Sequence, residues 1–159
     1  MASLDHYEFV TNWEFAAPVD RVWREIVRPV DWPQWWPGVE KVAEVRPGTD
    51  EDGLLGIHLV TWKSALPYRL TIETHAIRCL RHCNYYVQAY GELEGEGLWT
   101  FTETPTTTQV RYEWKVRTTK AWMRWLAPIA RPLFRWNHDV VMRWGELGLK
   151  KRLGEKQSE

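Results

Sequence analysis

Apolar and polar residues alternate from Tyr7 to Phe15, with Tyr7, Phe9, Trp13 and Phe15 on one side and Glu8, Asn12 and Glu14 mainly on the other. A period of two is the mark of a strand with one wet face. The spacing then changes. After Pro18, which suits a first helical turn, Val19, Val22, Trp23 and Ile26 recur at helical intervals. Arg28-Pro29 closes this helix, and the proline-bounded stretch 31–38 predicts no more than a helical turn. Strands are predicted over 39–46, 55–63, 68–80, 85–93 and 98–103, separated by turn signals at Pro47-Gly48, Asp52-Gly53, Leu66-Pro67, Gly95-Glu96-Gly97 and Pro105-Thr106. In a last strand, Val110, Tyr112, Trp114 and Val116 alternate with Arg111, Glu113, Lys115 and Arg117.

The chain closes with a long helical segment, about 120–153, in which Pro128 and Pro132 predict a kink or break. At 100° per residue, Leu133, Asn137, Val140, Trp144 and Leu147 share one face, and Arg135, Asp139, Arg143, Glu146 and Lys150 the opposite one. Successive strands with helices on one side make an α+β plan. The expected architecture is a single domain over 1–159, ordered over about 7–153: a curved antiparallel sheet of about seven strands wrapped around the C-terminal helix, with two short helices after the first strand. A curved sheet cannot meet a straight helix everywhere, so a pocket is expected between them.

Composition adds one anomaly. Among 159 residues there are 12 Trp, 6 Tyr and 4 Phe. Either the core is unusually aromatic or some rings line a cavity. The 21 basic and 21 acidic residues cancel, which argues against nucleic acid as a partner. The N-terminus lacks a basic segment followed by an apolar run, and the chain has 2 Cys; a cytoplasmic protein without disulfides is expected. No P-loop, nucleophile elbow or dinucleotide fingerprint is present.

Several motifs carry a family likeness: Phe15-x-x-Pro18 leading into Val22-Trp23; Trp32-Pro33-x-Trp35-Trp36-Pro37-Gly38-Val39; Leu66-Pro67-Tyr68; and Gly95-x-Gly97-x-Trp99 together with Trp136-Asn137-His138-Asp139. With the element order, they make the chain resemble the START/Bet v 1-like (SRPBCC, helix-grip) superfamily, and within it the bacterial polyketide cyclase/dehydrase-like branch, over roughly 7–153. The resemblance implies a deep apolar cavity between sheet and C-terminal helix, and no obligatory cofactor. Members variously bind lipids, hormones or polyketides, and only some catalyse, so the fold alone does not choose a function.

The residues expected to border the cavity are His58, Val60, Trp62, Tyr68 and Leu70 on the first half of the sheet, Trp99, Phe101, Tyr112 and Trp114 on the second, and Asn137, Val140 and Val141 on the helix. Asn137 sits in the middle of an apolar face, where an unpartnered amide costs a few kcal/mol. It is either tied to nearby backbone or an indole, or it contacts a ligand. His58 is either a structural hydrogen-bonding residue or a general acid or base near neutral pH. Trp32, Trp35 and Trp36 read first as a plug closing the core and otherwise as a pocket gate or a membrane-touching tip. His75, Cys79, His82 and Cys83 match no zinc-binding spacing, so no metal is expected.

Charge is unevenly distributed: residues 1–114 carry 10 basic and 17 acidic groups, residues 115–159 carry 11 and 4. A basic amphipathic helix can lie on a membrane; the preferred assignment is that its apolar face grips the sheet while its cations meet the acidic half. The leading functional expectation is enclosure of a small hydrophobic or aromatic molecule, lipid or polyketide-like. The first alternative is a polyketide aromatase/cyclase using His58, Tyr112 and Asn137, and the second a membrane- or protein-docking module. Nothing in the sequence sets an oligomeric state.

Overall fold

A computed structural model of the chain describes residues 5–157. Seven strands form one antiparallel sheet: β1 (His6–Phe15), β2 (Val39–Arg46), β3 (Ile57–Lys63), β4 (Arg69–Leu80), β5 (Asn84–Gly91), β6 (Leu93–Glu103) and β7 (Thr108–Thr118). Strands β2 to β7 run as a meander, and β1 closes the sheet beside β7, giving the order β1-β7-β6-β5-β4-β3-β2. Helix α1 (Val19–Ile26) and a 3-10 turn (Pro29–Gln34) follow β1. At the C-terminus, α2 (Ala121–Trp125) leads into the long α3 (Ala127–Gln157). This is the α+β helix-grip fold.

The β1–β7 register shows why the alternating pattern is legible. Phe9 faces Trp114 and Trp13 faces Val110 across the pair, so both alternating sets turn their rings to the same inner side. One expected turn is absent. Gly95 and Gly97 lie inside β6, which starts at Leu93. A side chain at Gly95 would overlap the Lys115 carbonyl of β7, so this glycine permits close strand contact instead of a reversal. The chain reverses just before it, at Gly91 (φ 110°).

Helix α3 also differs from expectation in phase. Its buried side is Phe134, Asn137, Val141, Met142, Gly145, Leu149 and Leu153, whereas Leu133 and Leu147 are 46% and 53% exposed. The wheel built on bulky apolar residues is turned away from the sheet. The reason lies in two glycines that hydropathy ignores. A Cβ on Gly145 would stand 2.6 Å from the Trp36 ring, and one on Gly148 would overlap the Trp35 carbonyl. The helix therefore seats its glycines on the tryptophan plug, which fixes its rotation. The break falls at Leu126, where the amides of Ile129 and Ala130 both donate to the Leu126 carbonyl (3.0 and 2.8 Å). Pro128 has no N–H to offer the Arg124 carbonyl, so the ladder is interrupted there, while Pro132 stays within α3. Far along α3, Arg152 pairs with the buried Glu25 of α1 at 2.8 Å. That joins the basic end of the chain to the acidic half, as the charge distribution implied.

Candidate functional site

The interior has two compartments. In one, Trp13, Phe15, Val22, Trp23, Ile26, Trp32, Trp35, Val60 and Phe101 pack solidly beneath α1 and the 3-10 turn. The other gathers Tyr7, Ile72, Trp114, Val116, Met123 and Phe134. Between them stands an aromatic partition. Trp36 meets Trp62 edge-on at 5.0 Å, Trp13 links Trp36 to Trp99, and Trp99 stacks on Tyr112 at 3.9 Å. The Trp36 indole N–H donates to the Val141 carbonyl of α3 (2.9 Å) and that of Trp32 to the Ile26 carbonyl (3.1 Å). The tryptophan turn is thus a plug, and its Trp32 and Trp36 rings are also one end wall of a cavity.

That cavity has a volume of about 140 Å³ and lies between the sheet and the first half of α3. Rings of the sheet, the β3–β4 turn and α3, among them Trp62, Tyr68, Trp99, Tyr112, Trp114 and Phe134, line its wall, with Leu70, Ile72, Val116, Val141, Met123 and Met142 between them. Lys63 at the end of β3 and Ser64 just after it border it where it nears solvent.

Polar groups are few and concentrated on one side. Asn137 is buried and its Oδ1 has no hydrogen-bond partner. The next residue, His138, stacks on Phe9 at 3.9 Å, and its Nδ1 is buried and unpartnered. Burial pulls its pKa down to about 4, because the charged imidazolium would lose its hydration. The Tyr7 hydroxyl, also buried, has no hydrogen-bond partner, and burial raises its pKa against the opposing field of Arg131. Burial likewise raises the phenols of Tyr68 and Tyr112. Burial therefore holds these phenols and the His138 imidazole in their neutral forms, as an apolar cavity requires.

Of the residues singled out from sequence, Trp62, Tyr68, Leu70, Trp99, Tyr112, Trp114, Asn137 and Val141 border the cavity. His58, Val60, Phe101 and Val140 do not. Val60 and Phe101 face inward but lie beyond the partition, and Phe101 packs against Trp23 at 5.0 Å. His58 is further along the same strand face, where its Nε2 meets Glu44 Oε2 of β2 at 3.3 Å. Burial lowers the His58 pKa and Glu44 partly opposes that. Val140 sits on the outer side of α3 because of the helix phase. His58, Tyr112 and Asn137 are therefore not one constellation. Sequence reasoning passed over Tyr7, Phe9 and His138. The first two were visible in the β1 alternation; His138 would have followed from treating Gly145 and Gly148 as buried positions.

The four His and Cys residues of the β4–β5 region are dispersed. His75 bonds Glu73, Cys79 lies part-buried against the Asp52 carbonyl, and Cys83 is exposed. Among the described residues no three metal-capable side chains cluster, and no helix is long and apolar enough to cross a membrane.

A sheet curved around one long helix, with an aromatic cavity between them, is the geometry that comparison with known proteins also returns. The family model described as polyketide cyclase/dehydrase and lipid transport matches residues 7–152. The chain belongs to this family. Solved structures share the fold at low identity. The aromatase/cyclase Zhui from Streptomyces sp. R1128 is 18% identical with a TM-score of 0.72, covering 96% of this chain and 94% of that one. A START superfamily protein from Mycobacterium smegmatis is 11% identical with a TM-score of 0.73, covering 93% and 97%. The di-domain aromatase/cyclase BexL of the BE-7585A biosynthetic pathway is 17% identical with a TM-score of 0.66; the chain spans 50% of its length, and the match covers 91% of this chain. A search of curated proteins found no match.

Proposed function

We propose that the chain binds and encloses a small, mostly apolar ring molecule carrying one hydrogen-bonding group. The observation that carries this reading is an aromatic cavity of about 140 Å³ whose wall holds three buried polar atoms without partners, Asn137 Oδ1, His138 Nδ1 and the Tyr7 hydroxyl. An apolar cavity of about 150 Å³ accepts a benzene-sized guest, so one ring fits without rearrangement. Oδ1 accepts hydrogen bonds only, and the neutral imidazole presents an acceptor or a donor according to tautomer. A phenolic hydroxyl would satisfy Asn137 and leave its ring to the indoles. Burying the unpartnered atoms costs free energy that a ligand of this kind recovers, which makes affinity selective.

The test is titration calorimetry with a phenol and its deoxygenated counterpart. Saturable one-to-one binding, with the phenol favoured about tenfold or more for one recovered hydrogen bond, is expected. Absence of saturable heat for either compound would overturn the reading.

A second reading, aromatase/cyclase-type catalysis, draws on the family and on His138 beside Asn137 in the cavity. An imidazole with a pKa of about 4 is a weak base, which supports a hydrogen-bonding role over proton abstraction. Loss of turnover on a poly-β-ketone surrogate in both Asn137→Ala and His138→Gln, with Tyr112→Phe also impaired, would favour this second reading instead.

A further inference from the structure

We propose that the α2–α3 tip is a docking surface for an anionic lipid bilayer. Six large apolar side chains stand in solvent there: Trp122, Trp125, Leu126, Ile129, Leu133 and Trp136. Trp125 and Ile129 are 82% and 84% exposed, more than any core role allows. In α3 the set is regular. Ile129, Leu133, Trp136 and Val140 recur at i, i+4, i+7 and i+11, which places them within about 60° of one another on the side away from the sheet. Solvent-exposed patches of this kind mark contact surfaces, and tryptophan is the residue most at home where apolar chain meets headgroup.

Charge selects the occupant. From 120 to 143 the segment carries Lys120, Arg124, Arg131, Arg135 and Arg143 against a single acid, Asp139. Lys120 is paired with Glu92. Arg131 lies over the Tyr7 ring and Arg135 over the Phe9 ring, so both hold their charge at the protein surface. An apolar ridge among arginines fits a negatively charged interface, where rings enter the acyl boundary and guanidinium groups stay with the phosphates. A second copy of this chain fits worse, because a twofold contact would bring the same cationic ridge against itself.

The surface is linked to the cavity. Trp122 packs edge-on against Tyr68 at 5.7 Å and against Phe134 at 6.3 Å, and both rings are cavity walls. Docking at the tip sets the cavity beside the bilayer, the natural source of an apolar guest. The exposed ridge and its cations are present whether or not the cavity is filled.

Co-sedimentation of the full chain with vesicles tests it, comparing phosphatidylcholine alone with phosphatidylcholine containing phosphatidylglycerol. We expect binding to the anionic vesicles that falls with salt, and a loss of about tenfold or more in Trp125→Ser/Ile129→Ser, since interfacial affinity scales with buried apolar area. Arg124→Glu/Arg143→Glu should reduce it comparably. These positions are exposed, and unchanged melting temperatures will show that the variants fold. Three results would each overturn the proposal: no anionic-vesicle binding at low salt, binding indifferent to both double variants, or a wild-type dimer by light scattering that Trp125→Ser/Ile129→Ser converts to monomer.

Discussion

Trp36 and Val141, 105 residues apart in the chain, are joined by a buried 2.9 Å hydrogen bond from the indole N–H to the main-chain carbonyl. This bond ties the tryptophan turn after α1 to the middle of α3 at the floor of the cavity, and it sets which face of α3 looks inward. Gly145, one turn further on, makes room for the same ring.

A helix-interior Gly→Ala exchange ordinarily stabilises by up to about 1 kcal/mol. At Gly145 the sign should reverse. The new Cβ would stand 2.6 Å from Trp36 and 3.0 Å from Trp13, and overpacking of this kind costs about 1–3 kcal/mol. At Gly154 a new methyl would meet nothing within 4 Å, so Gly154→Ala is the control and should follow the ordinary rule. Trp36→Phe removes the indole's bond to the Val141 carbonyl and shrinks a fully buried ring, and together these should cost about 1–3 kcal/mol. Urea denaturation of the three variants checks all of this.

His138 makes stability depend on pH. Its pKa is about 4 in the folded protein and 6.5 ordinarily. The folded value is the lower one, so between these limits the unfolded chain binds the extra proton. Stability contributed by the neutral ring is complete above about pH 6.5 and is lost as pH falls towards 4, by up to a few kcal/mol. Asp139 Oδ1 lies 3.9 Å from Nδ1 but is 80% exposed, and solvent screens it. Chemical denaturation between pH 4 and 7 should show a slope that His138→Phe flattens; an equal slope in both proteins would contradict the assignment.

His58 and Asn137 should part company in binding. Asn137→Ala removes the amide on the cavity wall, and affinity for a phenol should fall about tenfold for one lost hydrogen bond. His58→Gln acts beyond the aromatic partition, at Glu44, and should leave affinity within about twofold. Calorimetric titration of each separates the two.

Much of this arrangement could be read from the chain. The alternation in Val110–Val116 and Tyr7–Phe15 located two paired strands and their inner rings, and Pro18 marked the start of α1. Glycine is where reading failed, for one physical reason. A glycine has no side chain to register as apolar, yet it marks close approaches between elements: Gly95 against β7, and Gly145 and Gly148 against the plug. Counting them as breaks or neutral positions shortened β6 and rotated α3, which brought Val140 forward and hid His138. The partition was missed for a different reason. Strand alternation says which face a residue is on and not how far along it, so His58 and Val60 looked equivalent to Trp62.

The central claim is that a ring-sized guest occupies the hollow between sheet and α3. The most direct measurement is a titration with a simple phenol followed by methyl carbon–proton NMR. The account predicts that the methyls of Ile72, Met123, Val141 and Met142, all on the cavity wall, shift together and saturate, that the exposed Ile129 methyls stay still, and that Ile72→Phe abolishes the response. Shifts confined to Ile129, shifts that never saturate, or an undiminished response in Ile72→Phe would contradict it.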